Sequence, residues 1–264
     1  LNKELSMARH RALQMFGRSG NPAFKSKAFT QRSSDFSTSE VMTLSGTVNK
    51  TGLYLLLCFM TAAWTWNQFY ASGEPASIMP YLIFGLIGGL VAALITIFKP
   101  TAAPISAPIY ALLEGFAIGG ISAVAEASYE GIVIQAVGLT FFTLASLLMA
   151  YKTGLIKPTE NFRLMLFAAT GGVALLYLVN FIMMSFGASI GFIHSNGLVG
   201  IGFSLVVVAI AALNLVLDFD FIEQAAEQGA PKYLEAYGAF SFLVTLIWLY
   251  LEILRLLTKL YSRN

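Results

Sequence analysis

The sequence predicts an all-α polytopic membrane protein with seven transmembrane helices. Three observations carry that prediction. Of 264 residues, 57% are hydrophobic and 11% are charged, against about 25% charged in soluble domains. Mean hydropathy is +0.72, so the chain cannot supply the polar surface a soluble globule of this size needs. Apolar runs close to the roughly 20 residues that cross a bilayer recur from residue 51 onward. The runs are continuous rather than alternating, unlike those of a membrane barrel. A helix also satisfies its own backbone in lipid, where an open sheet cannot.

Residues 1–50 are polar and basic, with Lys3, Arg9, Arg11, Arg18, Lys25, Lys27, Arg32 and Lys50. They are expected to form a mobile cytoplasmic tail, with a stretch near Leu5–Phe16 suited to lie on anionic lipid. Residues 51–264 are expected to form the transmembrane domain. The first span, 51–70, holds the single cysteine, Cys58, so no intrachain disulfide can form. Trp64, Trp66 and Tyr70 near its end suit the membrane interface. Glu74, Pro75 and Pro80 mark the connection to the second span, 78–98. Lys99, Pro100 and Pro104 lead into the third, 104–125. Glu126 and Glu130 precede the fourth, 131–151. Lys152, Lys157 and Pro158 separate it from the fifth, 163–186. The sixth is 197–222, and Pro231 breaks the chain before the seventh, 237–260.

Loop bases set orientation. The tail, Lys99, the group Lys152, Lys157 and Arg163, and Lys232 alternate with loops carrying only Glu74, Glu126, Glu130 or His194. This pattern predicts a cytoplasmic N-terminus. Seven crossings then put the C-terminus outside, where Arg255, Lys259 and Arg263 are a misfit. A net charge of +2 does not point to nucleic acid.

Gly85 and Gly89 form one Gly-xxx-Gly pair, and Gly115 and Gly119 another. Such pairs let helix backbones approach closely, and packing within the chain is the expected use. Gly187-Ala-Ser-Ile-Gly191 matches a nucleophile-elbow pattern, with His194 nearby. It follows an apolar helix rather than a strand, so hydrolase chemistry is not expected. No Walker, dinucleotide-binding or metalloprotease motif occurs. The chain is therefore not expected to be an enzyme, and no catalytic residue or resident cofactor is assigned.

The acids carry the functional signal. Asp218 and Asp220 lie in the sixth span, Glu252 in the seventh and Glu114 in the middle of the third. A charge at the bilayer centre costs roughly 2.5–3.5 kcal/mol on insertion scales. Such groups mark ion paths or proton relays, or are packed and hydrogen-bonded structural acids. Asp218 and Asp220 point about 200° apart on a helix, so they cannot share one neighbour. Glu252 and Arg255 share a face and can pair. Two carboxyls that meet in low dielectric share a proton, which makes a pH sensor. When ionised they attract a hard cation such as calcium, although two carboxylates alone hold it weakly.

Several stretches resemble the Bax inhibitor-1 family, in its bacterial, YccA-like branch. Ile109-Tyr-Ala-Leu-Leu-Glu-Gly115 resembles its third-helix Tyr-x-x-x-Glu-Gly motif, and Gly131-Ile-Val-Ile-Gln-Ala136 a recurring start of its fourth helix. Leu217-Asp-Phe-Asp-Phe-Ile-Glu223 stands where the family has its sixth-helix aspartate. Leu249-Tyr-Leu-Glu-Ile-Leu-Arg255 is similar to its closing helix, commonly Leu-Tyr-Leu-Asp. The resemblance covers about residues 50–260. It implies a last helix central in the bundle, wrapped by the other six. It also implies a pH-regulated calcium leak of the bacterial inner membrane, gated by a carboxyl pair between helices six and seven. Carried over, the pair is Glu252 with Asp218 or Asp220, the same three acids being the weak calcium ligands. The chain departs from the pattern in its Glu for Asp at 252, its doubled aspartate, and a long charged connection between the two helices. Expected partners are membrane lipid, calcium ion and protons. The alternative expectation is a non-transporting regulator that binds a membrane protease or another membrane protein, its acids being structural.

Overall fold

Thr43 begins the first helix. Its Oγ1 accepts from the Gly46 amide at 3.0 Å and caps α1, Leu44–Ser72. The computed structural model describes residues 41–263. The basic tail up to residue 40, with His10 and the Leu5–Phe16 stretch, lies outside the described residues. The span expected from 51 thus starts earlier, at Leu44, inside the segment read as tail. Gly73 ends α1 in the left-handed conformation (φ 69°), its amide bonded to Phe69 O. A 3₁₀ turn, Pro75–Ile78, leads into α2, Met79–Phe98. A second, Pro100–Ala102, leads into α3, Ala103–Ser128. Prolines sit in these first turns because their missing amide has no partner there anyway.

The Glu126 carboxylate then accepts from the amides of Gly131 (2.6 Å) and Val133 (2.9 Å) and caps α4, Ile132–Lys152. Thr159 caps α5, Glu160–Ser185. A single helical turn, Gly191–His194, precedes α6, Leu198–Glu227. The last helix, α7, is Tyr233–Tyr261. Six of these seven long helices are long and apolar enough to cross a membrane; α1 is not among them. Its 29 residues suffice, but Asn49 and Lys50 on one side and Asn67 and Gln68 on the other confine its apolar centre to 51–66. The expected seven crossings are therefore six on length and composition alone.

The small-residue pairs fix how α3 is held. A Cβ on Gly115 would lie 2.2 Å from Cys58 O, and one on Gly119 2.3 Å from Ala62 O, so that face of α3 touches the α1 backbone. On its other side, a Cβ on Gly85 would lie 2.6 Å from Leu113 O, so α2 presses on α3 through its own glycines. Both pairs pack within the chain.

α7 is the core of the bundle. Its most apolar 18-residue stretch is 78% buried, against 17% for α4 and α5. It packs against α1, α3, α4 and α6. The other two helices lie further out, α2 docked on α3 and α5 on α6. Four helices thus wrap the last one closely, rather than six.

Side-chain contacts sort the helix ends into two groups. Met42 N bonds Ala230 O at 2.7 Å, and Lys50 meets Glu235 at 2.5 Å. Tyr151 donates to Glu223, and Arg163 meets Asp220 at 2.5 Å. These join the start of α1, the α4–α5 connection and the α6–α7 connection. At the opposite ends, Gln135 Nε2 donates to Tyr261 OH at 2.6 Å and Lys259 Nζ to Gly200 O at 3.0 Å. They join the start of α4, the start of α6 and the end of α7.

Candidate functional site

Three of the four candidate acids, Asp218, Asp220 and Glu252, lie on the α6–α7 hairpin. Its buried stripe on α6 runs Ala211, Leu215, Asp218, Ile222 and Ala225, at alternating steps of four and three. Asp218 is on that stripe and 0% exposed. Asp220, two residues on, points away from it. Its Oδ2 meets Arg163 of α5 at 2.5 Å, and its Oδ1 accepts from Gln224 Nε2 at 2.9 Å. The doubled aspartate is thereby divided: Asp218 belongs to the central interface, and Asp220 to a clamp on α5.

The register of the two helices decides which acids can meet. Ile222 lies beside Gly238, the rings of Phe219 and Phe242 are 5.4 Å apart, and Lys259 bonds Gly200. Asp218 is therefore level with residues near 242, and Glu252 with residues near 208. Ten helical residues separate those levels, about 15 Å at 1.5 Å each. The expected pairing of Glu252 with Asp218 or Asp220 is not made. α7 starts at Tyr233 rather than 237 and α6 and α7 run as a tight hairpin, so the two acids fall at different depths.

Glu252, 2% exposed, has other partners. Tyr177 OH of α5 donates to its Oε1 at 3.0 Å. Arg255 Nη1 meets Oε1 at 3.2 Å and donates to Tyr177 OH at 2.6 Å, with its guanidinium 5.0 Å from the Tyr177 ring centre. One turn further, Lys259 is only 4% exposed, its Nζ donating to Gly200 O and, at 2.8 Å, to Ser204 Oγ. Lys259 is thus engaged inside the bundle, whereas Arg255, with 43% of its side chain exposed, is tied at the bundle surface to Glu252 and Tyr177. Of the three bases at the C-terminal end, Lys259 alone is thereby withdrawn from the surface.

Glu114 lies on the α2 side of α3. Its Oε2 sits 2.8 Å from where a Cβ on Gly89 would be, so the glycine makes room for the carboxyl. A hydrogen-bonded structural acid is one of the expectations for it, but no hydrogen bond to it occurs among the described residues. The α2 position that faces its carboxyl is Gly89, which offers space and no side-chain donor.

Sequence reasoning missed Glu235, which is 1% exposed. It accepts from Thr43 N (2.9 Å), Thr43 Oγ1 (2.8 Å) and Lys50 Nζ (2.5 Å), and so ties the start of α1 to the start of α7. Lys259 and Tyr177 were also missed. Lys259 follows Glu252 by seven residues, a spacing that places both on one face and could have flagged it. At the end of the helical turn that follows Gly187–Gly191, His194 Nε2 is 3.1 Å from Asn180 Nδ2. Its hydrogen-bonded neighbour is thus Asn180, not Ser189.

Among the described residues, no group of three or more His, Cys, Asp or Glu side chains could hold a metal ion. Asp218, Asp220 and Glu252 therefore do not form the calcium-ligand set expected of them. Their separation along and around the helices keeps them apart.

Together these features define a multi-pass helical membrane protein with ionisable side chains buried along its central helix. The family model described as Bax inhibitor 1 like matches residues 21–262, and the chain belongs to that family. Neither a curated protein nor a solved structure matches it.

Proposed function

We propose that this protein is a proton-regulated cation leak of the bacterial inner membrane, with calcium the expected ion and seven crossings that leave the N-terminus in the cytoplasm. The observation that carries this reading is Asp218. It is a fully buried carboxyl on the α6 stripe that packs on the central helix, in a segment of spanning length. Acids in such places are rare, face a protein interior or a water-filled cavity, and commonly mark ion pathways or proton relays. Support for α1 as the seventh crossing comes from its backbone contact with α3 and its packing on α7. Support for the orientation comes from the loop bases, because Lys50, Arg163 and Lys232 belong to the same group of helix ends.

The gate differs from a carboxyl pair in contact. Asp218 and Glu252 act at two levels of one interface. An ionised Asp218 attracts a cation into the bundle; protonation removes that charge, so the leak falls as pH drops. At the other level, Arg255 and Lys259 place two cations beside one carboxylate, Glu252. That excess positive charge opposes cation passage until the Tyr177–Glu252–Arg255 contacts rearrange.

One set of observations favours the second reading, a non-transporting regulator that binds a membrane protease or another membrane protein. Asp220, Glu235 and Glu252 each have a basic partner, as structural acids do. Calcium-indicator fluorescence in proteoliposomes separates the readings. The leak predicts influx that rises between acid and neutral pH. Absence of flux across that range would favour the regulator.

A further inference from the structure

The central helix is open to its surroundings along one recess. α1 and α4 both pack on α3 and α7 but barely meet each other. Between them lies a groove of about 700 Å³, within the usual roughly 300–1,000 Å³ of small-molecule sites. Ser122 of α3 with Leu246 and Tyr250 of α7 form part of its floor; Phe59 of α1 with Val137 and Phe141 of α4 form part of its walls.

The groove asks for no water. Ser122 Oγ and Tyr250 OH bond each other at 2.6 Å, and Thr140 Oγ1 donates to Ala136 O at 2.7 Å. An apolar space without free polar groups stays dry, and an empty one forfeits the dispersion contacts of its lining. α3, α4 and α7 are of spanning length and composition, so the medium at its mouth is lipid hydrocarbon. On α1 it extends from Gly52 to Trp66, about 21 Å at 1.5 Å per residue. That exceeds one leaflet of the hydrocarbon core, roughly 15 Å.

We propose that this groove seats one acyl chain of a membrane phospholipid, lying along α7 between α1 and α4. The chain completes the packing of the central helix where protein leaves it bare, and it braces α1 against α4. This inference rests on the membrane-spanning fold and is independent of whether the protein conducts ions.

The test uses the full chain in phosphatidylcholine vesicles doped with a phosphatidylcholine that carries a diazirine on one acyl chain. After irradiation, crosslinked residues are mapped by mass spectrometry. Labelling at Phe59, Val137 and Tyr250 should exceed, by several-fold, labelling at outward-facing Phe98 and Leu175, which are 82% and 63% exposed. Val137→Trp fills the groove and should abolish Tyr250 labelling while leaving Phe98 unchanged. Gly52→Leu is the second variant, because a Cβ there meets nothing within 4 Å; it should reduce labelling at Leu56, one turn along the same wall of the groove, in a protein that still folds. Tyr250 labelling no higher than that of Phe98, or Leu56 labelling unchanged in Gly52→Leu, would overturn the proposal. So would protection of the groove by a second copy of the chain.

Discussion

Gly115→Ala tests whether α1 is threaded into the bundle as a crossing helix. The new Cβ would lie 2.0 Å from Thr61 Oγ1 and 2.2 Å from the Cys58 carbonyl oxygen, where ordinary contact begins near 3.4 Å. Thr61 can rotate, but the carbonyl belongs to the α1 backbone. α1 must therefore retreat by roughly 1 Å, against an interior packed as densely as a crystal. Overpacking of this kind costs about 1–3 kcal/mol. Alanine returns about 1 kcal/mol through helix propensity, which leaves a net loss of about 0–2 kcal/mol. Gly52→Ala, on the same helix, meets nothing within 4 Å and should gain up to about 1 kcal/mol. The propensity gain is common to both, so the two variants should differ by the overpacking cost, about 1–3 kcal/mol, or roughly 2–12 °C in melting temperature for a chain of this size. Thermal unfolding in one detergent reads the difference. Equal melting temperatures would refute the α1–α3 contact and, with it, the support for α1 as a seventh crossing.

Three further outcomes are expected. Arg163→Ala leaves Asp220 largely buried without its cation and should cost about 2–3 kcal/mol, whereas the double change Arg163→Met, Asp220→Leu should be nearly neutral; thermal unfolding of both distinguishes an ion-pair clamp from a generic surface contact. Glu235→Ala removes the acceptor of three hydrogen bonds and should cost about 2–4 kcal/mol, with faster protease cleavage near residues 41–46; unchanged cleavage would mean that the start of α1 is held by something else. Reporter fusions should place the two termini on opposite sides of the membrane, and the same side for both would refute seven crossings.

Much of the fold was legible because lipid dictates span length, and prolines, glycines and loop charges punctuate the spans. The contact surfaces were partly legible through Gly85, Gly89, Gly115 and Gly119, since small residues mark close approach. The buried face of α6 was harder to read. In a soluble helix hydrophobicity marks the inward face; in a spanning helix lipid takes the other face, and both are apolar. The step from Leu215 to Asp218 to Ile222 still singles out Asp218 once the interface is known, and Asp220 falls off that line. The partner of Glu252 was half legible. Arg255 shares its face within one helix, but Tyr177 comes from α5, 75 residues away in the chain, and no local pattern reports such a neighbour. The depth of each acid was not legible either, because it depends on where α7 starts and how tightly the hairpin turns.

The central claim is that Asp218 governs a proton-regulated cation leak, and calcium flux through the purified Asp218→Asn protein in proteoliposomes tests it most directly. The wild-type leak should rise from acid to neutral pH. In Asp218→Asn it should stay near its acid-pH level at every pH, while Asp220→Asn should retain the wild-type pH response. Unaltered pH-dependent flux in Asp218→Asn would contradict the account.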